Sequence, residues 1–208
     1  MSTRDATIAA AVAALRAGEL VVFPTETLYG VGCDALNPHA LESLRAVKQR
    51  GADKGVGVIV ADAAMLHLLS DDVSARALLL GEVFWPGPLT ILLPARADLP
   101  APLVLDGTIG VRVSGHPIAR QLARELGRPL AAPSANPAGL EPARDGAAAR
   151  AYFGPAVACY IDDGPIAGAP STLVDPGPPL RIVREGAIAR SALEDVLRRA
   201  HDEPNPTR

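Results

Sequence analysis

The 208-residue chain is 49% hydrophobic and 21% charged, with aromatic residues at only 3% and a formal net charge of −3. A chain of this length can bury about 70% of its unfolded surface and needs no staple, and its core must be built from Ala, Val, Leu and Ile. The balance excludes global attraction to nucleic acid or an anionic membrane, and the scarcity of aromatics argues against a stacking platform for single-stranded nucleic acid.

In chain order, Ile8, Val12 and Leu15 share one helical face, which predicts a surface helix over 6–15 rather than the core of a signal peptide. An apolar strand over 20–23 runs into Pro24-Thr25-Glu26-Thr27-Leu28-Tyr29-Gly30-Val31-Gly32, which reads as a hydroxyl-rich loop. Asn37 as N-cap and Pro38 at the first helical position open a helix over 38–48 that ends on Lys48-Gln49-Arg50, with Leu41, Leu44 and Val47 as its apolar face. A strand over 56–60 and helices over 63–69 and 73–84 follow. Trp85-Pro86-Gly87-Pro88 is a stiff turn, since each proline fixes φ, and it delivers a buried strand over 89–93. The run 108–113 alternates and reads as a strand, 116–126 as a helix closed by Gly127, and 130–132 as a short strand leading into Pro133-Ser134-Ala135-Asn136-Pro137. A helix over 145–153, strands over 157–161, 172–174 and 181–183, and a helix over 192–199 complete the order, with 201–208 read as a disordered tail.

This alternation predicts a single α/β domain over 1–208: a twisted, open, mixed sheet flanked by helices. No stretch is long enough to span a membrane. Cys33 and Cys159 fit no CxxC or zinc spacing and read as small buried hydrophobes suited to a reducing cytoplasm. His39, His67, His116 and His201 are too scattered to build a metal site. Phosphate-loop, dinucleotide, zinc-protease and nucleophile-elbow motifs are absent, so any bound nucleotide must be held by side chains converging from several loops.

Such side chains are present. Lys48, Arg50 and Lys54 lie within seven positions of one another. The hydroxyls after the first strand and these cations suggest a small anionic substrate in a cleft; equally, cations at a helix C-terminus suit its dipole. Thr108 opens a strand and Arg112 sits inside it. A guanidinium in an apolar strand needs a carboxylate or phosphate, supplied either by an internal Asp or Glu or by a ligand. Ser134 and Asn136 project from a loop stiffened by prolines, although both types are also ordinary turn residues.

Taken together, Pro24-Thr25-Glu26-Thr27-x-Tyr29-Gly30-x-Gly32, Lys48-x-Arg50, Trp85-Pro86-Gly87-Pro88-Leu89-Thr90, Val111-Arg112-Val113, Ala131-Ala132-Pro133-Ser134-Ala135-Asn136, Ser171-Thr172-x-Val174-Asp175 and Arg184-x-Gly186 resemble the threonylcarbamoyl-AMP synthase family of the YrdC/Sua5 type, in its short bacterial form. The resemblance implies a concave, basic cleft and the conversion of L-threonine, bicarbonate and ATP into L-threonylcarbamoyl-AMP and pyrophosphate for t6A modification of tRNA at position 37. It implies that Thr27, Arg112 and Ser171 contact threonine, with Arg112 on its carboxylate. Lys48, Arg50, Ser134 and Asn136 would hold the ATP phosphates, with Lys48 and Arg50 catalytic; Lys54, Thr108, Ala132 and Arg184 would complete the nucleotide site. Mg2+ is expected with ATP rather than in a protein cage, and handover of the product to a threonylcarbamoyl-transferase complex in the cytoplasm is implied. The alternatives are a module gripping tRNA or double-stranded RNA, or a paralogue of the same fold without synthase activity. Departures from the family pattern are Gly51 after the KxR arginine, Lys54-Gly55 for a polar-Pro pair, an apolar residue at about Ile59, and no serine near the end of the loop after Asn136.

Overall fold

The computed structural model describes residues 3–49 and 55–202, so Arg50 and Lys54 lie outside the described residues. Among the described residues, six α-helices and nine strands follow one another as α1 Thr3–Arg16, β1 Val21–Pro24, β2 Tyr29–Asp34, α2 Pro38–Lys48, β3 Val58–Val60, α3 Ala75–Phe84, β4 Leu89–Pro94, β5 Thr108–Val113, α4 Pro117–Leu126, β6 Leu130–Ala131, α5 Gly146–Phe153, β7 Cys159–Tyr160, β8 Thr172–Asp175, β9 Arg181–Arg184 and α6 Arg190–Asp202. The helix boundaries follow the local chemistry. Asn37 Oδ1 accepts from the backbone N–H groups of His39 and Ala40 at the start of α2, while Ser74 and Asp145 cap α3 and α5 in the same way.

The strands form one mixed sheet in the order β7-β1-β2-β6-β3-β5-β4-β8-β9. The pairs β1–β7, β3–β5 and β4–β8 are parallel, and the others are antiparallel. Period-two alternation sorts the side chains into two cores. Val22, Val58, Val60, Val111 and Val113 face one side, where Leu41 and Leu44 of α2, Leu80 of α3 and Leu193 of α6 pack on them. Val21, Phe23 and Ile59 face the other side, against Ile8, Val12 and Leu15 of α1 and Ile118 and Leu122 of α4. Each of these large side chains, fully withdrawn from water, stabilises the fold by roughly 1.5–3 kcal/mol.

Two sequence expectations change. The region 24–32 is not one loop: Tyr29–Asp34 is a fully buried strand, and only a tight turn over 25–28 separates it from β1. Tyr29, Val31 and Cys33 supply the alternation, entering the same core as Val22. The last helix starts earlier than expected and continues to Asp202, taking in the first residues expected to be tail. Among the described residues, no helix is long and apolar enough to cross a membrane.

Candidate active site

The two helices of the second face, α1 and α4, pack chiefly over β1, β7 and β3. The same face of β5, β4, β8 and β9 is left as the floor of a cavity of about 490 Å³. Cross-strand partners share a face, so Ile59 of β3 and Arg112 of β5, directly paired in register, stand side by side there. The turn over 25–28, the loop over 132–134, and Leu103 and Leu105 complete its lining, with Arg181, Val183 and Arg184 contributed by β9.

Arg112 is the deepest charge in this cavity, at 8% exposure. Its Nη1 donates to Glu26 Oε1 at 2.7 Å and to Thr27 Oγ1 at 3.2 Å. Among the described residues, its Nε and Nη2 meet no acceptor. Burial pushes its pKa below the ordinary arginine value; the Glu26 carboxylate opposes that, and the nearby Arg184 adds to it. The group stays a cation, because arginine is not deprotonated in proteins. The expected internal acidic partner is therefore Glu26, and one edge of the fork is still uncommitted. Glu26 is itself fixed, since its Oε2 accepts from the hydroxyl of the fully buried Ser114.

The turn that presents Thr27 is closed by Thr25. Its Oγ1 donates to the Leu28 carbonyl at 2.6 Å and accepts from the backbone N–H groups of Thr27 and Leu28. The two threonine hydroxyls lie 2.9 Å apart, and either can be the donor. Thr27 Oγ1 accepts from Arg112 Nη1 and lines the cavity.

Across the cavity, Ser171 Oγ lies 2.8 Å from Thr90 Oγ1 and accepts from Arg184 Nη2 at 2.9 Å. Arg184 also grips the Ser171 carbonyl through Nε and Nη2, at 3.2 and 2.9 Å. Ser171 ends a strap over 162–171 that contains no helix or strand. Its first end is tied to β2: the Tyr29 hydroxyl lies 2.7 Å from Asp162 Oδ1 and accepts from the Asp163 N–H at 3.0 Å. The hydrogen bond from the Tyr29 hydroxyl lowers the Asp162 pKa, and burial above all raises that of Tyr29. Midway, Gly168 lies so close to the 25–28 turn that a Cβ would sit 2.5 Å from the Glu26 carbonyl oxygen and 2.8 Å from Thr27 Cα.

Of the residues singled out from sequence, Thr27, Arg112, Ser171, Thr108, Ala132, Ser134 and Arg184 all line this one cavity. Lys48 and Asn136 stand behind the Ser134 loop instead. The Lys48 ammonium donates to the carbonyls of Ser134 and, at 2.8 Å, Asn136. The Ser134 hydroxyl donates to Asn136 Oδ1 at 2.6 Å, and the Asn136 amide donates to the Leu140 carbonyl at 2.7 Å. Residues that sequence reasoning did not assign are Glu26, Ser114, Thr90 and Tyr29. Glu26, Tyr29 and Thr90 stand inside the quoted motifs without an assigned role, and Ser114 lies outside them. No group of three or more His, Cys, Asp or Glu among the described residues could hold a metal ion.

Comparison with known proteins gives concordant matches. The family profile Sua5_yciO_yrdC, described as telomere recombination, covers residues 13–186. A putative threonylcarbamoyl-AMP synthase of Mycobacterium tuberculosis is 39% identical over 197 residues, spanning 93% of this chain and 90% of that protein. A threonylcarbamoyl-AMP synthase of Bacillus subtilis is 37% identical over 206 residues, but these 97% of this chain span only 59% of that protein. Among solved structures, Sua5 of P. abyssi complexed with L-threonine superposes with a TM-score of 0.87 at 34% identity, covering 91% of this chain and 57% of that one. YciO of E. coli superposes at 0.79 with 28% identity, covering 88% and 90%.

Proposed function

Because this chain belongs to the Sua5/YciO/YrdC family, we propose that it makes L-threonylcarbamoyl-AMP and pyrophosphate from L-threonine, bicarbonate and ATP. The observation that carries this reading is the uncommitted edge of the buried Arg112 guanidinium, set in one cavity with the hydroxyls of Thr27, Ser171 and Ser134. A planar fork of N–H donors matches an amino-acid carboxylate in charge and in shape.

In this assignment Arg112 takes the threonine carboxylate, flanked by Thr27 and Ser171. The amine adds to the carbon of bicarbonate with loss of water, giving a carbamate. A carbamate oxygen then attacks the α-phosphorus of ATP, and the bond to the β-phosphate oxygen breaks to release pyrophosphate. Negative charge gathers on the transferring oxygens, where preformed donors and cations lower the barrier; one such donor is typically worth ~3 kcal/mol. Ser134, Thr108, the backbone at Ala132 and Arg184, which line the same cavity, are assigned to the nucleotide. Lys48 and Asn136 serve it by holding the Ser134 loop, and Arg50 and Lys54 are assigned by the family resemblance alone. Mg2+ enters as part of the ATP substrate, where it screens the phosphates. Holding carbamate and α-phosphate in contact supplies much of the remaining rate.

The product carries a reactive mixed anhydride, so the reading includes handover in the cytoplasm to a transferase that modifies adenosine 37 of tRNA. A role as an RNA-gripping module is disfavoured, because Lys48, which that role needs at the surface, is buried with its ammonium on backbone carbonyls. The purified protein should release pyrophosphate from ATP only when L-threonine and bicarbonate are both present. Release without either one, or equal use of L-serine, defeats the proposal.

A further inference from the structure

The Glu26–Arg112 pair raises a question that the proposed reaction leaves open. A carboxylate already sits on the guanidinium that is meant to receive a substrate carboxylate. Two roles are physically distinct. A competitor weakens anion binding by its charge and must be displaced; a clamp orients the fork and leaves a second edge open.

The geometry favours the clamp. Glu26 engages only Nη1 of Arg112, together with Thr27, and so leaves the Nε–Nη2 edge without an acceptor among the described residues, in a residue that lines the cavity. Glu26 is not itself free to swing away. Its second oxygen is held by Ser114, a residue with no solvent exposure whose hydroxyl also accepts from the His116 N–H at 3.2 Å. Strand β5 ends at Val113, so Ser114 stands immediately beyond the strand that carries Arg112. Gly168 packs beside the Glu26 backbone, so closely that a Cβ there would fall 2.5 Å from the Glu26 carbonyl oxygen. A displaced competitor would be expected on a mobile side chain with one weak anchor, whereas this carboxylate is fastened at both oxygens.

We infer that Glu26, braced by Ser114, is a positioning residue that presents the Nε–Nη2 edge of Arg112 as a preformed carboxylate receptor. The choice of L-threonine as its occupant rests on the function proposed above; the receptor itself does not. Without Glu26 the cation loses its orientation, and a receptor held more than about 0.5 Å off its productive geometry binds its ligand more weakly. With Gln at position 26 the acceptor is kept and the charge removed, so orientation is partly restored.

Calorimetric titration of the folded, full-length protein distinguishes these roles, using L-threonine, acetate as a bare carboxylate, and ATP as separate probes. Glu26→Ala should weaken L-threonine binding by about tenfold or more, with Glu26→Gln and Ser114→Ala intermediate and ATP affinity within about twofold of wild type. In turnover, the threonine KM should rise with kcat nearly constant. Tighter threonine binding in both Glu26→Ala and Glu26→Gln identifies a competitor and overturns the inference, as does unchanged affinity in all three variants or an equal loss for threonine and ATP. If Glu26→Ala does not fold, Glu26→Gln and Ser114→Ala decide by the same criteria. If wild type binds acetate in a Glu26-dependent way but not L-threonine, the receptor stands and the threonine reading fails. If it binds neither, both fail.

Discussion

The Nζ of Lys48 lies 2.8 Å from the carbonyl oxygen of Asn136 and also caps that of Ser134, so the cation ending α2 is a tie for the 133–137 loop. Lys48→Ala leaves the part-buried Asn136 carbonyl without its donor and the Ser134 carbonyl with the Asn136 N–H alone. A loss of about 2 kcal/mol is expected, seen as a fall of about 4–8 °C in Tm by calorimetry. An unchanged Tm with a raised KM for ATP would instead make Lys48 a direct phosphate ligand.

Arg112 contributes charge and shape together, and the two separate by substitution. Arg112→Ala removes both and should weaken threonine binding by at least ~1.5–3 kcal/mol, the range for a hydrogen bond to a charged group. Arg112→Lys keeps the charge but not the fork, and should recover little of that loss. Equal affinity of the lysine variant and wild type, by titration, would show that charge alone suffices.

Gly168 has no room for a side chain. In Gly168→Ala the new methyl meets the Glu26 carbonyl and Thr27 Cα at distances well inside contact, so the strap and the 25–28 turn must part. Threonine KM should rise several-fold, and amide exchange in the strap should quicken as its contact with Thr27 is lost.

Tyr29→Phe unties the other end of the strap, and its effect carries a pH signature. The Tyr29 hydroxyl donates to Asp162 and holds that carboxyl below its ordinary value. A depressed folded pKa gives stability that is present above the unfolded value, about 3.9, and lost as pH falls through the lower folded value. The Tm gap between wild type and Tyr29→Phe should therefore be full above about pH 5 and narrow at lower pH. A gap independent of pH would assign the effect to the lost backbone contacts alone.

Cys33 has no solvent exposure, and burial together with Asp34 pushes its thiol up to about 12. Thiolate is the reactive form, so native protein at pH 8 should leave Cys33 unmodified by iodoacetamide, with full labelling after unfolding, as read by mass spectrometry.

Much of this site was legible in the sequence because its parts stand at strand ends beside prolines and glycines. Arg112 identified itself as a charge in an apolar strand, and Asn37 and Pro38 set the start of α2 to the residue. Strand β2 was obscured by the polar run before it and by Gly30 and Gly32, which weaken a strand pattern. Yet Gly32 is required there, since a Cβ would fall 2.2 Å from the Ala131 carbonyl oxygen of the neighbouring strand. The role of Glu26 was not legible, because an ion pair between residues this far apart in sequence depends on which strands are neighbours. The inward turn of Lys48 was hidden for the same reason: its acceptors are backbone carbonyls, which carry no mark in sequence.

The walls of the cavity come from Thr27, near one end of the described chain, and from Arg184, near the other, with β5 and β4 between them. A polypeptide emerging from the ribosome thus has no complete cavity for the two reactants together until its ninth strand has joined the edge beside β8. Prematurely terminated products should therefore not consume nucleotide, and two separately made halves should regain turnover only by reassociating.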